Sequence, residues 1–264
     1  MIKVVFELAR WRFFLLRKQK IFLTAMVLGV LALLLSLAVA SSSYLVPVKI
    51  YWDFVLGFVF VAASFLAVYA STGLFSDEKQ RRTLHLLLAA GITRRAWVWG
   101  NYFGVLAAHI ALVLLWSLLA GAFAWFLPDA NEAPLLAIVS QAQGAFVMEL
   151  FILAAMGFCF SFFLRPVLAL IATLALTLFL HSQISLLTVL ADQQTGAFNT
   201  PVLQPILQWI VPFLPPLEWY DLRLLVGYES STDITLLVKL SLMALAWMVF
   251  WVELGVLRFR KIDL

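Results

Sequence analysis

The stretch IFLTAMVLGVLALLLSLAVA, residues 21–40, carries no charge and only two hydroxyl side chains, Thr24 and Ser36. An α-helix needs roughly 20 consecutive apolar residues to cross the hydrocarbon of a bilayer, and this run has that length. Six basic residues precede it, Lys3, Arg10, Arg12, Arg17, Lys18 and Lys20, and Ala38-Val39-Ala40 resembles a small-residue cleavage site. The charge-free stretch continues to Val48, well beyond the roughly 7–15 residues of a secretory apolar segment. The run is therefore expected to remain as a membrane span.

The rest of the chain agrees with lipid as the solvent. Hydrophobic residues make up 64% of the 264 positions and charged residues 12%, with a mean hydropathy of +1.03. A soluble domain is about half apolar and about a quarter charged, because its surface must be hydrated. Five more apolar runs follow, at residues 54–75, 96–127, 144–164 (after a softer stretch, 134–143), 166–190 and 234–257. None alternates with period two, so a β-barrel is not expected. Lysine and arginine mark the cytoplasmic side of a membrane protein. Besides the N-terminal six, Lys79, Arg81, Arg82, Arg94 and Arg95 lie between runs two and three, Arg165 between four and five, and Arg258, Arg260 and Lys261 at the end. Fifteen of the 18 basic residues thus fall on one side, leaving Lys49, Arg223 and Lys239. Two basic tails require an even number of crossings. The expected fold is one all-α membrane domain over 1–264, with six transmembrane helices and both termini cytoplasmic.

Two segments are not expected to cross. Residues 1–20 read as an amphipathic helix, with Lys3, Glu7, Arg10 and Arg17 on one face and Val4, Val5, Leu8, Trp11 and Leu15 on the other. A basic helix with Trp and Leu suits the headgroup boundary, and also serves as a positive-inside anchor. Between runs five and six, residues 192–233 are too apolar for a wet loop, yet Pro201, Pro205, Pro212, Pro215 and Pro216 interrupt them. Irregular backbone at membrane depth must be buried in protein or line a cavity. Half-inserted external helices are expected there; the alternative is an interfacial loop held by Trp209, Trp219 and Tyr220.

The connection between runs two and three, residues 76–95, carries the main functional signal. Ser76 is expected to cap a helix whose first turn holds Asp77 and Glu78, where the helix dipole favours anions. Leu84, Leu87 and Leu88 follow at i, i+3, i+4 spacing, Gly91 ends the helix and Thr93 caps the next. This short amphipathic helix needs a surface for its leucine stripe, either the membrane or a cytoplasmic partner.

Residues 78–100 resemble the type 2 ABC exporter permease family. The resemblance is carried by Thr83-Leu84, Leu86-Leu87-Leu88, Gly91-Ile92-Thr93-Arg94 and Gly100, in a six-run chain with an amphipathic start, a broken segment before the last run and a basic end. The sequence departs from the family pattern at Arg82 (usually Gly), His85 (usually acidic) and Asn101 (usually Lys). The resemblance implies that residues 76–95 form a coupling helix seated in a groove of a separate cytoplasmic ATPase subunit, with Asp77, Glu78, Arg81, Arg82, Thr83, Leu84, Leu87, Leu88, Gly91 and Arg94 as the coupling residues. It also implies pairing with a second permease chain, identical or paralogous, in a bacterial inner membrane. The chain has no Gly-rich Lys-Ser/Thr phosphate loop, so ATP and magnesium are expected on the partner and no cofactor on this chain.

Other residues bear on possible chemistry within the membrane. Glu149 enters run four and is expected near the outer interface, within reach of water or Lys239. His181 and Gln183 lie towards the outer end of run five. These three are candidates for a translocation path, since intramembrane ionisable groups are costly and often functional. For His181 an interhelical hydrogen bond is the simpler expectation, because His85 and His109 lie in other segments and no metal-ligand spacing appears. Asp53 is expected to cap run two, and Glu253 to pair with a basic tail residue. The single cysteine, Cys159, supports no disulfide framework or thiolate metal site within one chain. No nucleophile–base–orienter set is recognisable, and the basic residues sit at run ends, so neither an enzyme nor a nucleic-acid binder is expected. A secondary transporter or channel, or a membrane scaffold, remains as an alternative.

Overall fold

The computed structural model describes residues 2–43, 46–80, 83–127, 133–183, 185, 214–223 and 232–262. Every regular element among them is helical. In chain order they are α1 (Ile2–Arg17), α2 (Lys20–Ser41), α3 (Pro47–Gln80), α4 (Thr83–Ala89), α5 (Arg94–Ala124), α6 (Ala133–Ser161), α7 (Pro166–His181), a 3-10 turn (Leu217–Tyr220) and α8 (Ile234–Arg260). Five of these, α2, α3, α5, α6 and α8, are long and apolar enough to cross a membrane. The sixth expected span, 166–190, is represented by α7, whose 16 residues rise about 24 Å, short of the ~30 Å hydrocarbon core. The count on the described residues is therefore five full-length spans and one shorter apolar helix.

The most apolar stretch of α6 is 72% buried and that of α2 only 28%, which places α6 at the centre of the bundle and α2 at its edge. α6 packs on α3, α5, α7 and α8, and α3 also contacts α2, α5 and α7. The softer stretch before run four belongs to α6 itself, which continues without a break from Ala133.

The run boundaries move outward for a local reason. Pro47 opens α3 at the first helical position, where its missing N–H costs nothing. No Gly or Pro interrupts residues 74–80, so α3 continues past the hydrocarbon to Gln80. This overturns two expectations. Asp53 lies in the second turn of α3 and does not cap it. Ser76 is inside α3, its hydroxyl accepting from the Gln80 side chain at 3.3 Å, so it does not cap the next helix.

The N-terminal helix is held by protein. Leu8, Arg12 and Leu16 are buried at i, i+4, i+8 spacing, against the face of α5 that carries Gly100 and Gly104. A Cβ at Gly100 would lie 2.6 Å from Leu8 Cβ, and one at Gly104 would lie 2.5 Å from Arg12 Cβ and 2.7 Å from the Ala9 carbonyl. Small residues four apart let two backbones approach this closely. Val4, Trp11 and Leu15 stay exposed, as do Ile2, Phe6 and Phe14, which leaves an apolar outer surface for lipid. Gly104→Leu is expected to lever α1 off α5. A cysteine pair placed across α1 and α5 should lose its disulfide cross-linking in this variant while the other helices remain folded.

Candidate functional site

The basic ends of α1, α3, α5, α7 and α8 gather at one end of the bundle. Trp97 of α5 packs on Phe259 of α8 at 5.4 Å between ring centroids, and Phe162 stacks on Phe259 at 5.3 Å. Phe75 of α3 closes the group against Phe162 at 4.8 Å. This aromatic floor borders the 76–95 connection, and its members, from α3, α5, α8 and the turn after α6, stand too far apart in sequence for spacing to join them.

α4 is short, seven residues, and its C-terminus is tightly closed. The Gly91 N–H donates to the Leu88 carbonyl at 3.1 Å and the Ile92 N–H to the Leu87 carbonyl at 3.2 Å. Gly91 sits at φ 84°, the left-handed conformation that glycine adopts without steric cost. Thr93 then caps α5, accepting from the Ala96 N–H at 3.2 Å. Gly91 and Thr93 thus take the backbone roles their sequence positions imply.

The leucines divide differently. Leu84 is fully buried in the chain's own core, and Leu87 and Leu88 are half-buried against it. The residue that points outward is Leu86, 70% exposed, between exposed His85 and Ala89. A helix of two turns lying across its own bundle must give one side to that bundle, and the i, i+3, i+4 stripe is that side. Leu86 belongs to the Leu86-Leu87-Leu88 run but lies off the i, i+3, i+4 stripe, so its spacing gives no sign of its outward position.

The acidic pair also departs from expectation. Asp77 and Glu78 belong to the last turn of α3, where the helix dipole disfavours anions. Asp77 is exposed. Glu78 is buried and compensated: it forms an ion pair with Arg12 of α1, accepts from Trp97 Nε1 at 2.8 Å, and its backbone carbonyl accepts from Thr83 Oγ1 at 3.2 Å. Arg12 Nε also donates to Asn101 Oδ1 at 2.7 Å, and Asn101 Nδ2 donates to the Trp97 carbonyl at 3.0 Å. One buried polar cluster thereby ties α1, α3, α4 and α5 together. A guanidinium in low dielectric needs such a fork of acceptors. Asn101, one of the departures from the family pattern, is one of those acceptors.

Arg94 donates to the Phe259 and Arg260 carbonyls at 2.8 and 2.7 Å, satisfying acceptors that the end of α8 leaves open. Arg95 pairs with Glu253 of α8 at 2.6 Å, and Trp99 donates to the same carboxylate at 2.9 Å. Glu253 therefore pairs across to the start of α5, and not with a basic tail residue as expected. Arg81 and Arg82 lie outside the described residues.

At the opposite end, Glu149 of α6 is completely buried and bonded to His181 Nε2 of α7 at 2.9 Å. It does not reach water, and Lys239 is exposed on α8, so the expected alternatives for Glu149 are replaced by the interhelical bond expected for His181. Phe60 packs edge-on to His181 at 5.3 Å, and the Arg223 guanidinium lies over the same ring at 4.2 Å. Arg223 also holds Asp221 through two hydrogen bonds of 2.6 and 2.5 Å. Burial alone would raise the Asp221 carboxyl, but these hydrogen bonds and the Arg223 charge hold it below its ordinary value. Gln183 Nε2 donates to the Leu214 carbonyl at 3.5 Å. Tyr220 is fully buried and donates to the Leu240 carbonyl at 2.9 Å, so it anchors the 3-10 turn to α8, unlike the interfacial position that the alternative reading of this segment gave it. Most of the 192–233 segment, including Pro201, Pro205, Trp209 and Pro212, lies outside the described residues.

No group of three or more His, Cys, Asp or Glu side chains is placed to hold a metal ion among the described residues. The basic end is thus a junction at which buried polar and aromatic contacts join α1, α3, α5 and α8, with the short α4 lying beside α3 and presenting Leu86 outward. None of the curated proteins matches this chain. A family model described as ABC-2 family transporter protein matches residues 11–264, nearly the whole bundle with its junction, and the chain belongs to that family as a multi-pass membrane component of an ABC transporter.

Proposed function

We propose that this chain is the permease subunit of an ATP-driven exporter whose ATPase is a separate cytoplasmic protein that seats the outward face of α4. The carrying observation is the exposure of Leu86 on a helix whose Leu84 is buried in the chain's own core and whose Thr83 bonds the end of α3. A rigid peg with an apolar tip is suited to fill a groove in a moving partner. Force on that tip passes through Glu78 and Arg12 to α1, and through Arg94 and Arg95 to α8, so the whole basic end turns as one body.

In this reading the basic end faces the cytoplasm of a bacterium, with both termini there, and α7 with the residues after it completes a sixth crossing. A second permease, identical or paralogous, forms the other wall of the translocation path. ATP and magnesium bind the partner ATPase, and this chain does no bond chemistry. The test is purification of the tagged chain together with the products of its neighbouring genes. An ATP-binding-cassette subunit is expected to co-purify and to show hydrolysis that depends on the permease. Transport that continues with ATP depleted and an ion gradient present would overturn the assignment.

A further inference from the structure

A cavity of about 540 Å³ opens at the basic end where α1 turns into α2, against the last turns of α3 and the first turn of α7. Its size falls in the ~300–1,000 Å³ range of small-molecule sites. Ile21, Leu74 and Leu170 give it an apolar wall, while Lys20, Tyr69 and Asp77 give it a polar one. Lys20 and Asp77 are exposed, and neither has an ion-pair partner among the described residues. Arg12 also reaches the cavity, but its charge is engaged by Glu78.

The cavity's position sets its depth. Lys20 is the first residue of α2, a candidate span, and Pro166 the first of α7, so the cavity lies where hydrocarbon gives way to headgroups. Tyr69 is the kind of side chain that favours this boundary. Basic pockets between membrane helices take up lipid headgroups. Here a cation and an anion share one pocket, and the complement of that pair is a zwitterion. An ammonium donates to phosphate oxygens, and a carboxylate accepts N–H donors from a primary amine.

We propose that this cavity is a resident phospholipid site, selective for a headgroup that carries both a phosphate and a primary amine, with Lys20 on the phosphate, Asp77 on the amine and the acyl chains along the apolar wall. A headgroup with no cation leaves Asp77 facing like charge. A quaternary ammonium offers Asp77 no N–H donor. The inference rests on the chain's place in a membrane and not on its pairing with an ATPase, so either can fail alone.

The test uses the full chain in nanodiscs of equal parts phosphatidylethanolamine, phosphatidylglycerol and phosphatidylcholine, with bound lipid counted by native mass spectrometry after transfer to detergent. Phosphatidylethanolamine is expected to be retained over the other two. Lys20→Gln and Gly73→Phe, the second filling the cavity from its α3 wall, should each reduce that retention roughly tenfold, the scale of one lost hydrogen bond to a charged group. Asp77→Lys should reverse the preference towards phosphatidylglycerol. Equal retention of the three lipids would overturn the proposal, as would a lipid ratio unmoved by Asp77→Lys. Displacement of the lipid by millimolar inorganic phosphate alone would show an anion site without lipid selectivity, and would also overturn it.

Discussion

Replacing Leu86 by Asp is expected to lower co-purification of the ATPase subunit tenfold or more while leaving the permease folded. Leu86 is 70% exposed in this chain, so the substitution removes nothing from the core. Burying one leucine side chain contributes about 1.5–3 kcal/mol, which is roughly ten- to a hundredfold in affinity, and a carboxylate forced into an apolar groove adds a desolvation cost. Leu84→Asp supplies the contrast. Leu84 is fully buried against the chain's own helices, so an unpaired carboxylate there should abolish a cooperative melt in detergent before any partner is added. Should Leu86→Asp bind the ATPase as well as the parent does, the outward face of α4 is not the seat.

The second large effect concerns the Arg12–Glu78 pair. Both side chains are nearly excluded from solvent, at 5% and 6% exposure. Truncating one partner takes from the other the opposite charge it is buried against, although Asn101 still bonds Arg12 and Trp97 still bonds Glu78. Such a break costs about 3–5 kcal/mol, whereas replacing both partners by apolar side chains of similar volume is often close to neutral. Arg12→Ala and Glu78→Ala should therefore each destabilise strongly, and Arg12→Met combined with Glu78→Met should recover most of the loss. Chemical or thermal unfolding of the four proteins in one detergent measures this. Additive losses in the double variant would show that the two charges do not depend on each other. The double variant also separates stability from function. If it folds and binds ATPase but transports poorly, the ion pair serves transmission between α1 and the connection.

That the chain is a helical membrane protein was readable because hydrophobic runs are a local signal. Twenty apolar residues in sequence are twenty apolar residues in a helix, whatever surrounds them. Gly91 and Thr93 were readable for the same reason, since a left-handed turn and a helix cap involve neighbours a few positions apart. The Gly100–Gly104 spacing was equally present in the chain, and its meaning needed only the knowledge that α1 is the helix that lies on it. Ser76 and Asp53 were misplaced because α3 runs on beyond the hydrocarbon at both ends, where nothing breaks it.

Sequence alone determined that the chain is a helical membrane protein, where its basic ends lie, and which connection carries the family's pattern, because each depends on composition or on spacing within a turn or two. Only the tertiary structure decided which side of α4 faces outward, which buried charge answers Glu78, and that Glu149 meets His181. Those pairings join residues dozens of positions apart, and they are chosen by which helices stand beside one another in a medium that leaves no buried charge without a partner.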